Sequence, residues 1–155
     1  GGFGGTGFLT AEQWEATSDT LGEPKSGLSE ELDALAAFVM SLSLLESPYE
    51  APAGGEEAFL AAACDECHPA PTFTDSSLEN PLRHDVGTIT AASGERRGGE
   101  LDGFDTPTLL GLFLTAPYLH DGSALDIAAS IRAHDSAVDL SDEEVNLIEG
   151  YLLSL

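Results

Sequence analysis

Basic residues are what this chain has least of: five lysines and arginines stand against 28 aspartates and glutamates, a net charge of −23. A surface so strongly of one sign repels nucleic acid and anionic membranes, so neither is expected as a partner. Long apolar runs are missing too. None approaches the roughly 20 residues that cross a bilayer, so no membrane span is expected. Aromatic residues are only 7% of the 155, so the core is modest for the length and fits one or two small domains. No leader is recognisable, and the chain starts at Gly1 without a methionine, which reads as a processed or truncated product. Cysteine occurs twice, at positions 64 and 67. The lack of a second pair argues against a zinc site, and the lack of a βαβ pattern removes the context of a thioredoxin-type redox pair.

Those two cysteines stand in Cys64-Asp65-Glu66-Cys67-His68, the most informative run in the chain. C-x-x-C-H is the attachment pattern of a c-type haem. Two thiols three positions apart lie on one side of a turn and reach the two vinyl groups of one porphyrin. The adjacent histidine then offers its imidazole to the iron, so His68 is expected as the proximal ligand. A structural disulfide is the plainer alternative for the pair. Thioether attachment takes place outside the bacterial cytoplasm, which places the chain in the periplasm or outside the cell. With a haem present, the acidic surface has two readings, simple solubility and steering toward a basic redox partner protein.

The chain also echoes itself. Residues 28–42 read LSEELDALAAFVMSL and residues 140–155 read LSDEEVNLIEGYLLSL. Aligned from their shared Ser-Leu ends, Leu32, Leu35, Phe38, Val39 and Leu42 fall on Val145, Ile148, Tyr151, Leu152 and Leu155. Both sets follow helical spacing and put one apolar stripe on an acidic helix. Ser141 and Glu144 open the second copy as a capping box. Each copy looks like the last helix of a cytochrome c domain. Residues 1–48 are therefore expected to be the tail of an upstream domain plus linker, and residues 49–155 a complete second domain. Gly2-Phe3-Gly4-Gly5-Thr6-Gly7 satisfies G-x-G-x-x-G formally, but no strand precedes it, so it reads as a loop.

Within the second domain, Glu56 to Cys64 reads as a short helix running into the haem motif. Pro69 to Gly111 is rich in Gly, Pro, Asp and Ser and reads as loop wrapped round a porphyrin edge. Ser123 to His134 reads as a helix with Ser123 as N-cap. Ala124, Ile127, Ala128 and Ile131 define its buried face, and His134 falls on that face, so His134 is the expected distal ligand. Met40, the single methionine, lies off its helix's apolar stripe and reads as structural. His84 and His120 sit in loop contexts suited to hydrogen-bonding a loop or a propionate.

Phe104-Asp105-Thr106-Pro107-Thr108-Leu109 and Thr115-Ala116-Pro117-Tyr118-Leu119-His120-Asp121-Gly122-Ser123 resemble the C-terminal haem domain of bacterial dihaem cytochrome c peroxidases. The methylamine-utilisation dihaem enzyme belongs to the same superfamily. Phe73-Thr74-Asp75 followed by His84-Asp85-Val86-Gly87 resembles that family's segment after its second haem motif. The resemblance covers about residues 56–155. It implies a distal ligand on the helix after His-Asp-Gly, methionine in the peroxidases and tyrosine in the methylamine-related enzyme, and the matching position here is His134. Imidazole in place of thioether implies a lower potential and no open position for peroxide. Where the family commonly has Thr-Leu-Arg, this chain has Thr108-Leu109-Leu110, leaving Arg96 or Arg97 as substitutes. The family's interdomain calcium takes backbone carbonyls at positions matching Thr115 and Pro117, so calcium is a second candidate cofactor.

The expectations are therefore an all-α, cytochrome c-like domain around one covalent haem c, preceded by the tail of a second such domain. Cys64, Cys67, His68 and His134 hold the haem, with His68 and His134 on the iron. The function is electron transfer through a bis-histidine, low-spin haem. The alternative is an electron-feeding domain of a dihaem peroxidase-like enzyme whose active haem lies upstream. Partners are a redox protein and an upstream haem domain or neighbouring subunit.

Overall fold

Residues 27, 29–43, 45–77, 82–95 and 99–155 are described by the structure, a computed structural model. The N-terminal Gly-rich loop, Arg96 and Arg97 lie outside them. The chain divides into two compact units, residues 1–44 with 94–101, and residues 45–93 with 102–155.

In the first unit, α1 (Glu30–Ser41) starts where Ser29 accepts a hydrogen bond from the Leu32 N–H, and Glu30, Glu31 and Asp33 favour the positive end of its dipole. Its stripe of Leu32, Leu35, Phe38 and Val39 is exposed.

In the second unit, α2 (Gly55–Ala61) follows the Pro52 turn, α3 (Ile127–Arg132) follows an Asp126 cap, and α4 (Asp142–Ser154) closes the chain. The expected capping box is present on α4, with Ser141 accepting from the Glu144 N–H and Glu144 accepting from the Ser141 N–H. The apolar stripe behind that cap goes inward: Val145 is 2% exposed, Ile148 1% and Leu152 5%. Helix α4 packs on both α2 and α3. Phe59 of α2, Phe73, Leu109 and Ile127 complete the core around Ile148 and Leu152. Phe59, Phe73 and Tyr151 meet as three edge-on or tilted rings, with centroids 5.4 to 6.4 Å apart. Gly55 lets α2 approach α4 closely, because a Cβ there would stand 3.0 Å from both the Leu147 carbonyl oxygen and the Tyr151 Cβ.

The all-α expectation is wrong. Among the described residues the helices stand beside an antiparallel ladder, β1 (Arg83–His84) with β2 (Phe104–Asp105), and an isolated antiparallel bridge joins Tyr118 to Ala124. The fold is a small mixed α/β one. The physical reason lies in the long Gly- and Pro-rich stretch between His68 and Gly111. Its described residues form a single 3-10 turn, Ala91–Ser93, and no α-helix, and where Arg83–His84 meets Phe104–Asp105 strand pairing supplies the backbone's hydrogen-bond partners. Register is set at Arg83↔Asp105 and His84↔Phe104, and Arg83 reinforces it with a two-pronged bond to Asp102 at 3.1 Å.

Candidate functional site

Helix α2 leads straight into the cysteine run. After Ala61 the backbone turns left-handed at Ala63 (φ 55°), and Cys64–Glu66 form one 3-10 turn. The His68 N–H donates to the Cys64 carbonyl at 2.9 Å, so Cys64, Cys67 and His68 all leave a single turn. Both thiols are free and half-buried. Burial and then the Asp65 charge push the Cys64 thiol up to about 11. Cys67 is also raised, by burial, Asp75 and Glu66. At neutral pH these are protonated thiols, unlike the depressed thiolates of reactive redox cysteines.

The chain after His68 folds back to orient its ring. The Phe73 N–H bonds to the Pro69 carbonyl at 2.8 Å, and the Phe73 carbonyl then meets His68 Nδ1 at 3.0 Å. A carbonyl only accepts, so Nδ1 carries the proton and Nε2 carries the lone pair. Burial lowers the affinity of His68 for a second proton, the Phe73 carbonyl opposes that shift, and nearby His134 adds to it. A half-buried, neutral imidazole with its Nδ1–H tied to a carbonyl is the arrangement that metal-ligating histidines adopt.

His134 repeats the arrangement. Its Nδ1 lies 2.9 Å from the Ser130 carbonyl, which again assigns the proton to Nδ1 and the lone pair to Nε2. Its route there differs from the one read in the sequence. Helix α3 is capped by Asp126, whose carboxylate accepts from the Ala129 N–H at 2.7 Å, and not by Ser123. Ser123 belongs to the turn closed by the Tyr118–Ala124 bridge. The helix ends at Arg132, and His134 has extended backbone (φ −81°, ψ 131°) before a last 3-10 turn, Asp135–Ala137. The imidazole is therefore held by its own hydrogen bond, and not by helical periodicity.

The other candidates have surroundings of their own. Met40 is 86% exposed on α1. His120 is exposed, stacked on Phe104 at 4.0 Å between centroids and bonded to Ser93 Oγ. His84 has a role that sequence reading did not assign. Its Nε2 pairs with Asp75 Oδ2 at 2.7 Å, and the pair lies beside the Cys67 sulfur. The signal was present in the Phe-Thr-Asp and His-Asp-Val-Gly strings, but nothing in either string says that the two meet. Thr74 Oγ1 donates to the Thr106 carbonyl and Thr108 Oγ1 to the Thr72 carbonyl, both at 2.6 Å, which sews residues 72–74 to residues 106–108. The one group of three or more His, Cys, Asp or Glu side chains placed to hold a metal among the described residues is Cys67, Asp75 and His84, away from the Thr115–Pro117 segment considered for calcium.

No protein-family model and no curated protein matches the chain. A solved structure does: Kuenenia stuttgartiensis hydrazine synthase under xenon pressure superposes with a TM-score of 0.57 and 23% identity. That likeness is one of fold. It covers 80% of this chain and 55% of the other, so this chain spans about half the length of the one it matches. No helix among the described residues is long and apolar enough to cross a membrane.

Proposed function

We propose that this chain transfers electrons through a c-type haem bound covalently at Cys64 and Cys67, with His68 and His134 as iron ligands. The supporting observation is the matched pair of half-buried imidazoles, each with its Nδ1 bonded to a backbone carbonyl, at 3.0 Å for His68 and 2.9 Å for His134. The donor set fits the group. Cys64 and Cys67, free thiols on one turn, would hold the group by thioether bonds to its two vinyl groups, each S–H adding across one vinyl so that no atom is lost. When bound, the haem supplies a one-electron Fe(III)/Fe(II) couple whose potential depends on axial ligands, burial and nearby charge.

The residues of the site then have distinct tasks. Phe73 and Ser130 hold the two rings by their carbonyls. Phe59, Phe73 and Ile127 exclude water from one side of the motif turn. His68 and His134 would both hold the iron, and a haem held by two imidazoles would supply electron transfer rather than substrate binding. An excess of acids surrounds it and favours a redox partner with a basic face, in the periplasm or outside the cell. An upstream haem domain or neighbouring subunit is the other partner this reading admits.

The test is an intact mass under denaturing conditions, after production with a haem-attachment system. The full chain should gain the mass of one haem, and Cys64→Ser with Cys67→Ser should lose it. A chain that never retains haem covalently contradicts the proposal. A redox titration giving a clearly positive, methionine-like potential contradicts His134 as ligand.

A further inference from the structure

The polar corner behind Cys67 has no task in the reading above, and its construction is specific. The Cys67 sulfur, one carboxylate oxygen of Asp75 and one ring nitrogen of His84 all lie within 4.8 Å of one another. Asp75 is brought there by its own N–H, which donates to the Cys67 carbonyl at 3.0 Å. His84 is brought there by the β1–β2 ladder. Gly103 lies flush on its backbone, where a Cβ would stand 3.0 Å from both the His84 nitrogen and carbonyl carbon. The pair bonds through Asp75 Oδ2 and His84 Nε2 at 2.7 Å, and the carboxylate side chain is 13% exposed. Its other oxygen, Oδ1, is buried, and the Thr106 hydroxyl acts with His84 to favour the ionised carboxylate.

A thiolate, a carboxylate and an imidazole at this spacing would suit a divalent metal. On the haem reading the Cys67 sulfur is committed to carbon as a thioether, so no thiolate remains. What is left is a half-buried carboxylate, paired with His84 and stabilised by the Thr106 hydroxyl, against the point where the proposed haem would join the chain. A negative charge in a low-dielectric setting opposes the arrival of an electron, because like charges are poorly screened there.

We infer that Asp75 is a potential-setting residue of the haem site, with His84 as the positioning residue that holds its carboxylate beside Cys67. The inference rests on the proposed haem and goes beyond its ligands. It assigns the β1–β2 ladder a purpose, since that ladder delivers His84.

The experiment is a redox titration of the haem-loaded full chain at pH 7, comparing wild type, Asp75→Asn, Asp75→Glu and His84→Gln. Removing the charge in Asp75→Asn should favour the reduced state on the order of tenfold, an upward shift of about 59 mV. Asp75→Glu keeps the charge and should stay near wild type. His84→Gln retains a donor to the carboxylate and should not move upward. If Asp75→Asn does not fold, Asp75→Ser removes the same charge in a smaller side chain and should shift the same way. Optical spectra should be unchanged throughout, since no iron ligand is touched. Covalent haem at wild-type yield with less than a twofold change (about 18 mV) in the charge-removed variant overturns the inference while leaving the haem reading intact. A wild-type chain that carries no covalent haem, or holds a stoichiometric metal at Cys67, overturns both.

Discussion

Gly150 lies inside α4, where adding a methyl group ordinarily helps. Alanine is favoured over glycine in a helix interior by about 1 kcal/mol. The structure predicts the opposite sign for Gly150→Ala. A Cβ there would lie 2.8 Å from Pro52 Cγ and 3.0 Å from Pro52 Cδ, well inside ordinary carbon–carbon contact. A proline ring cannot rotate aside. Pro52 is also anchored, because its carbonyl accepts the Gly55 N–H at 3.0 Å at the start of α2. Overpacking of this kind costs about 1–3 kcal/mol, so the clash outweighs the propensity gain and the net loss reaches about 2 kcal/mol. Guanidinium unfolding followed by far-ultraviolet circular dichroism reads this as a lower midpoint at constant slope. The decisive comparison is the double mutant. With Pro52→Ala already in place the obstacle is gone, and Gly150→Ala should then stabilise by up to about 1 kcal/mol. An effect of the same sign and size in both backgrounds would refute the claimed contact, as would a Gly150→Ala protein at least as stable as wild type.

Other perturbations test other parts of the account. Ile148→Ala empties the centre of the core and should cost about 2–5 kcal/mol in the same unfolding assay. Ser141→Ala removes one half of the α4 capping box and should cost about 1 kcal/mol, with Glu144→Gln a smaller loss. Acid should act through Asp75. Burial pushes its carboxyl up, but the Thr106 hydroxyl and His84 outweigh burial and hold it below its ordinary value of 3.8. A depressed folded value contributes stability that is present above the ordinary value and lost as pH falls through the folded one. Urea midpoints of wild type should therefore approach those of Asp75→Asn only below about pH 4, and a gap that stays constant down to low pH contradicts the assignment.

What could be read from the sequence was whatever local chemistry decides. The Ser141–Glu144 cap and the Val145, Ile148, Leu152 stripe on α4 are set within two or three turns of chain, and the structure places them as the spacing predicts. The C-x-x-C-H turn is equally local. The ladder was not legible, because Arg83–His84 and Phe104–Asp105 are two-residue strands and show no alternation for a period of two to reveal. The cap of α3 was misread because Ser123 and Asp126 are both good N-caps. The Tyr118–Ala124 bridge, which closes a turn around Ser123, decided between them. The reason for singling out His134 needs amending. Periodicity placed it on a helix face, whereas the helix stops two residues earlier and the Ser130 carbonyl holds the ring. The Asp75–His84 pair joins residues nine apart in sequence, which no local pattern encodes.

If His68 and His134 both ligate one covalently held iron, a frozen-solution electron paramagnetic resonance spectrum of the oxidised, haem-loaded full chain at pH 7 should show a low-spin ferric signal of the bis-imidazole type and no high-spin component. A high-spin signal would show that His134 does not bind the iron.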